Sequence, residues 1–172
     1  MNRDKEEYGR LNPSATPELS RFGFLIGRWR CDARLKRDDG SWEPLEASWV
    51  GRYVLDGYAI MDEFKLTKAP GELLVLGVNL RTYDVRRKAW NLKWLNALDG
   101  TWVDLGPEEL GGVKMDDRSI SYSFKEPLGA HSLTRATYLD ISPGHFTWRG
   151  EGSSNGKAWE EFLVIEAHRS DR

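Results

Sequence analysis

The sequence predicts an all-β chain: an antiparallel meander of about ten short strands, closed into a barrel, with a short helix at one end. Three observations carry this. After Gly27 no segment shows a helical apolar period, and short strand-like runs are broken by turn residues roughly every ten positions. Four dipeptides, Asp39-Gly40, Asp56-Gly57, Asp99-Gly100 and Asn155-Gly156, tolerate positive φ and signal hairpins. The chain closes with a further strand-like run, AWEEFLVIEA at 158–167, placed to pair with the first strand. Strands that are all sequential neighbours form a meander. A long meander curls, and closing it removes the exposed edges, which favours a barrel over a sandwich.

The elements follow in order. Residues 1–16 are mostly polar and read as a flexible tail, leaving 17–172 as one barrel domain. In Thr16-Pro17-Glu18-Leu19, Thr suits an N-cap, Pro the first helical position, and Glu the positive end of the dipole. A helix or turn near 17–23 follows, too short to stand alone, so it must pack on something. The first strand lies in FGFLIGRWRCDARL, residues 22–35, where Trp29, Cys31, Ala33 and Leu35 share one face. Cys31 is therefore a small core residue, and as the single cysteine it excludes an internal disulfide. Looser breaks at Lys68–Gly71, Asp84–Lys88, Gly111-Gly112, Pro127–Gly129 and Pro143-Gly144 separate the other strands.

A two-residue hairpin loop fixes register, and opposed residues share a face. Around Asp56-Gly57, Leu55 then opposes Tyr58, Tyr53 opposes Ile60, Gly51 opposes Asp62 and Trp49 opposes Phe64. That face is almost wholly apolar, so it is the inner one. Around Asn155-Gly156, Gly152 opposes Trp159, Gly150 opposes Glu161, Trp148 opposes Leu163 and Phe146 opposes Ile165. Before Asp99-Gly100 the inner set is Trp90, Leu92, Trp94, Asn96 and Leu98. Asp62 and Glu161 thus point inward, each opposed by a glycine that leaves room for a ligand or marks a bend. A carboxylate inside a barrel needs a partner, water or a proton. Arg81 is a candidate partner, although LLVLGVNLRTY is apolar on both faces and allows two registers. If Val75, Gly77, Asn79 and Arg81 face inward, Leu74, Leu76, Val78 and Leu80 form an outer stripe. The N-terminal segment can cover that stripe, or a second subunit can, as a homodimer.

The Gly27-x-Trp29 entry after a short helix resembles the opening motif of lipocalin and calycin barrels. The stretches YVLDGYAIMDEF (53–64), LRTYDVRRKAWNLKWLN (80–96) and FTWRGEGSSNGKAWEE (146–161) resemble a bacterial family of lipocalin-like domains of unknown function. The resemblance spans roughly 19–169 and implies a β-barrel with an internal cavity, with no activity to carry over. It also implies that Trp29 closes the barrel floor and that Arg169 packs over it. The chain departs from secreted lipocalins in lacking disulfides and a C-terminal helix, which argues against an extracellular carrier.

Composition excludes several classes. The net charge of −2 gives no basic footprint for nucleic acid. No apolar run could span a bilayer, and MNRDKEEYGR lacks a signal-peptide core, so the expected location is the cytoplasm. No P-loop, dinucleotide fingerprint, nucleophile elbow or zinc spacing is present, and no metal or cofactor is expected. Of the histidines, His145 and His168 should point outward. His131 could look inward and is the best candidate for a haem ligand, a role some calycin relatives use. The leading expectation is binding of a small apolar or aromatic molecule among Trp49, Tyr53, Phe64, Trp94 and Trp148, with Asp62, Arg81, Asn96 or Glu161 fixing its polar end. The alternative is an enzyme in which Asp62 and Glu161 act as general acid and base for isomerisation, cyclisation or hydration. A filled, purely structural barrel is the third reading.

Overall fold

A computed structural model describes residues 7–68, 71–125 and 131–170. It shows one sheet of eleven antiparallel strands. In chain order they are β1 (Gly27–Lys36), β2 (Trp42–Val54), β3 (Ala59–Thr67), β4 (Leu73–Asp84), β5 (Ala89–Asn96) and β6 (Trp102–Leu105). Then come β7 (Val113–Met115), β8 (Ile120–Phe124), β9 (Leu133–Leu139), β10 (His145–Ser153) and β11 (Glu160–Arg169). Consecutive strands pair throughout except β6 and β7, and β1 pairs β11 with Cys31 opposite Ala167. The sequence-predicted meander is therefore present, including the meeting of first and last strands. The turn expected at Pro127–Gly129 lies outside the described residues, as does part of the break at 68–71.

Closure is where expectation and structure part. The barrel is open, because β6 and β7 do not pair and form the two ends of the sheet. Between them the chain runs through Gly106, Pro107, a 3-10 turn at Glu108–Leu110, and Gly111-Gly112. Gly106, Gly111 and Gly112 all have positive φ, so the segment turns away rather than extending the ladder. β6 and β7 span only four and three residues, and the Gly106 N–H reaches the Ser123 carbonyl at 3.0 Å across the gap.

The lower end is sealed. Pro17–Leu25 forms a 3-10 helix instead of an α-helix, and Thr16 makes no capping bond to the backbone, its hydroxyl pairing with the Glu18 carboxylate. The helix buries Leu19, Phe22 and Leu25 into the lower core. Trp29 is 1% exposed, donates its indole N–H to the Leu25 carbonyl at 3.1 Å, and packs edge-on to Phe146. The Arg169 guanidinium lies 4.3 Å from the Trp29 ring centre and donates to the Pro143 and Ile26 carbonyls. The plug and its basic cover are thus as the resemblance implied. Residues 8–12, read as part of a flexible tail, instead lie on this end. Tyr8 is buried, its carbonyl accepts from the Tyr53 N–H, and the Asn12 N–H donates to the Gly57 carbonyl.

Register explains the candidate site. Gly51 opposes Asp62, and Tyr53 opposes Ile60, as expected. The turn is wider than two residues, however, and Leu55 and Tyr58, expected inside, are exposed in it. Leu98 is likewise exposed in the β5–β6 turn. β4 takes the register that turns Gly77, Asn79 and Arg81 inward, and Leu76, Val78 and Leu80 stay half-buried on the outside, whereas Leu74, expected with them, falls at a register shift and packs against the core. The β10–β11 pairing corrects the second hairpin: Gly150 opposes Leu163, Trp148 opposes Ile165 and Phe146 opposes Ala167. The ladder shifts after Gly150, leaving Phe162 as the extra residue of a bulge. Glu161 then opposes Glu151 rather than Gly150.

Candidate functional site: a lumen above a buried polar floor

Alternation along the strands sends apolar and aromatic side chains inward, and in the upper half of the barrel they do not meet. They leave a cavity of about 210 Å³. Trp49 and Phe64 form its base, Trp94 and Val75 one wall, Trp148 and Phe162 another. Two glycines shape the walls. The Trp94 indole lies over Gly77, where an added Cβ would come within 2.5 Å of the ring. The Trp148 indole lies over Gly150, with 2.8 Å left for a Cβ. Both indoles therefore lie back against the sheet and leave the lumen free.

Beneath the lumen sits a charged pair. Asp62 and Arg81 are both 0% exposed. Arg81 Nε donates to Asp62 Oδ1 at 2.6 Å, while Oδ2 accepts from Trp49 Nε1 at 2.7 Å, Asn79 Nδ2 at 2.8 Å and the Arg81 guanidinium at 3.2 Å. The same Arg81 Nη2 that reaches Asp62 Oδ2 also donates to the Tyr138 hydroxyl at 2.9 Å, and the guanidinium stacks over Phe22 at 4.5 Å. Burial is the largest influence and works against the charge on Arg81, but the Asp62 carboxylate together with Tyr138 and Tyr122 outweighs it and holds the guanidinium well above its usual range. Burial pushes the Tyr138 phenol well up, against the opposing pull of Arg81. The Asp62 carboxylate is fully met, as a buried charge requires, while Arg81 Nη1 is buried with no hydrogen-bond partner among the described residues.

The sequence-predicted residues divide. Trp49, Phe64, Trp94, Asn96 and Trp148 line the cavity. Tyr53 does not; it packs under residues 8–9, with its hydroxyl beside Gly23, and burial raises its phenol. Asp62 and Arg81 form the layer below. Glu161 faces outward, its carboxylate 3.7 Å from Arg149. Asn96 reaches the mouth, but its amide is spent on the β5–β6 turn, donating to Asp99 and accepting from the Leu98 N–H. Hydrogen bonds, the Thr101 hydroxyl first, hold the Asp99 carboxyl below its usual range. His131 stacks on Phe162 and over Gly152 and is not among the lining residues. His145 bonds Glu166 at 2.8 Å. The described residues contain no cluster of three or more metal-ligating side chains, and none of their helices is long and apolar enough to cross a membrane.

Sequence reasoning missed Asn79, Tyr122 and Tyr138 as site residues, all of which line the lumen. Asn79 was legible once the inner parity of β4 was chosen. The two tyrosines sit on β8 and β9, which no hairpin dipeptide anchors.

No family model matches the chain, and no curated protein matches it. Solved structures do. The crystal structure of Rv2717c from M. tuberculosis aligns with a TM-score of 0.63 at 14% identity, covering 91% of this chain and 99% of that one. The structure of EF1p2_mFAP2b bound to DFHBI gives 0.43 at 14% identity over 88% and 99% of the two chains. The S-type phycobiliprotein lyase CPES from Guillardia theta gives 0.49 at 12% identity over 89% and 92%. The fold is thus of the lipocalin-like, calycin-type β-barrel class, and at these identities the likeness is one of fold alone.

Proposed function

We propose that the protein binds one small, largely apolar or aromatic molecule in the lumen. The carrying observation is the open 210 Å³ cavity walled by Trp49, Phe64, Trp94 and Trp148. An apolar cavity of about 150 Å³ already accepts benzene, so this volume suits a small aromatic. A filled barrel would show no such space. The acid/base alternative loses both its groups, since Asp62 has its oxygens taken by four donor contacts and Glu161 lies outside.

Titration with 1-aminoanthracene, read by quenching of tryptophan fluorescence, tests this. Saturable one-to-one binding is expected. Gly150→Ala adds a Cβ whose near neighbours are the ring ends of Trp148 and Phe162, so it should push them into the lumen. Binding should weaken by about tenfold, the scale of modest overpacking. Linear, non-saturating quenching, or a Gly150→Ala variant that binds like the parent, would sink the reading.

A further inference from the structure

We propose that the lumen selects an uncharged aromatic bearing a hydrogen-bond donor, with that donor aimed at the side-chain carbonyl oxygen of Asn79. The inference rests on the binding reading above and assigns the ligand class. Asn79 is 6% exposed, lies between Asp62 on β3 and Trp94 on β5, and lines the cavity. Its amide orientation is set from below. An ionised carboxylate only accepts, so the atom that meets Asp62 Oδ2 at 2.8 Å must be the NH₂. The carbonyl oxygen is then what Asn79 offers to the lumen. A buried acceptor in aromatic surroundings is costly unless a donor meets it.

Charge narrows the class further. Among the described residues no Lys, Arg or His lines the lumen. Arg81, the buried cation of the network, is not among the lining residues: its Nε and Nη2 donate to Asp62 and Tyr138, and its Nη1 is buried without a partner outside that lining. A ligand carboxylate would therefore enter unpaired, a heavy desolvation cost. A ligand ammonium fares no better. Asp99, the one lining carboxylate among the described residues, sits at the mouth with its oxygens engaged by Thr101 and Asn96. The indoles of Trp94 and Trp148, set against Gly77 and Gly150, give the lumen an aromatic lining that favours an aromatic ring.

The test compares matched probes on the full chain near neutral pH by calorimetry: 2-naphthol, 2-methoxynaphthalene, 2-naphthoate and the ammonium form of 2-(aminomethyl)naphthalene. 2-Naphthol should bind about 3- to 10-fold more tightly than 2-methoxynaphthalene, the scale of one neutral hydrogen bond. 2-Naphthoate should bind about 100-fold more weakly than 2-naphthol, or less well still. Asn79→Ala, checked for folding by circular dichroism, should erase the gap between the first two. If that variant fails to fold, the side-chain carbonyl ¹³C resonance of Asn79 in the parent gives the same answer. It should move with 2-naphthol and stay with 2-methoxynaphthalene. Equal affinity for those two, an unmoved resonance, or tighter binding of either charged probe overturns the proposal while leaving aromatic binding intact. Failure of all four probes would instead refute the binding reading itself.

Discussion

Replacing Asp62 by Asn should be among the most damaging single changes in this chain, although it barely alters shape. The carboxylate accepts from Arg81, Trp49 and Asn79, with Arg81 contributing two contacts at 2.6 and 3.2 Å. An amide keeps one acceptor and turns an NH₂ toward donors, so at least one N–H loses its partner. Arg81 keeps its charge with no counter-ion, at 0% exposure. Breaking a buried pair from one side costs about 3–5 kcal/mol, a large part of the roughly 5–15 kcal/mol that holds a domain. Urea melts of parent and variant, extrapolated linearly, measure the loss. The double change Asp62→Leu with Arg81→Met removes both charges and should be less destabilised than the single one. It will not equal the parent, because the Trp49 and Asn79 donors are stranded, at about 1–3 kcal/mol each. A loss below about 1 kcal/mol for Asp62→Asn, or a double variant weaker than the single, would refute the account of the floor.

Three further outcomes follow from named contacts. Trp29→Ala removes the plug between Phe146 and Arg169 and should cost about 3–5 kcal/mol in the same melts; a loss below about 1 kcal/mol would mean the ring is not a core plug. Burial, aided by Asp32, pushes the Cys31 thiol from 9.0 up to about 12. A thiol held neutral in the fold contributes stability that is whole below pH 9 and lost as pH rises from 9 toward 12. The slope is about 1.4 kcal/mol per pH unit. Cys31→Ala should flatten the decline between those limits, and an unchanged slope would deny the thiol its part. Glu161→Gln should shift stability by less than about 1 kcal/mol, since its contact with Arg149 is long, at 3.7 Å, and only partly buried; a larger loss would place Glu161 in the interior after all.

One dipeptide type served the sequence reading well at one turn and badly at another. Asp56-Gly57 gave the true β2–β3 ladder because the widened turn, with Leu55, Asp56 and Gly57 all at positive φ, keeps the same symmetric centre. Asn155-Gly156 instead lies inside a longer loop. Asn155 Oδ1 accepts from the Lys157 and Ala158 N–H groups, and Ser153 Oγ accepts from the Gly156 N–H. Side-chain bonds of this kind build a loop that a two-residue template cannot anticipate. The ladder beyond it slips, Phe162 bulges, and Glu161 leaves the lumen. The pairing of β1 with β11 was legible from the alternation at both ends of the chain. The breach between β6 and β7 was not, because Gly111-Gly112 reads as an ordinary turn until Gly106 is seen to turn the chain as well.

Glycines facing an interior have more than one cause, and here the cause decides what the barrel can hold. Opposite a carboxylate, Gly51 suggests room for a ligand. In the structure that room is taken by backbone: the Leu25 carbonyl crosses the Gly51 Cα so closely that no side chain fits. Gly51 therefore serves the seal, letting the 3-10 helix run beneath the sheet, and Asp62 above it is filled by Arg81, Trp49 and Asn79. Gly150 acts in the opposite sense, and Gly77 does both, since the Leu95 carbonyl as well as the Trp94 indole crowds the place of its Cβ. Each accepts an indole against the wall, and the space those rings vacate is the lumen. A carboxylate and a glycine facing one another across a strand pair thus mark the floor of this barrel. A tryptophan folded over a glycine marks the wall of its lumen, and that pairing separates the packed, sealed half of the barrel from the hollow one.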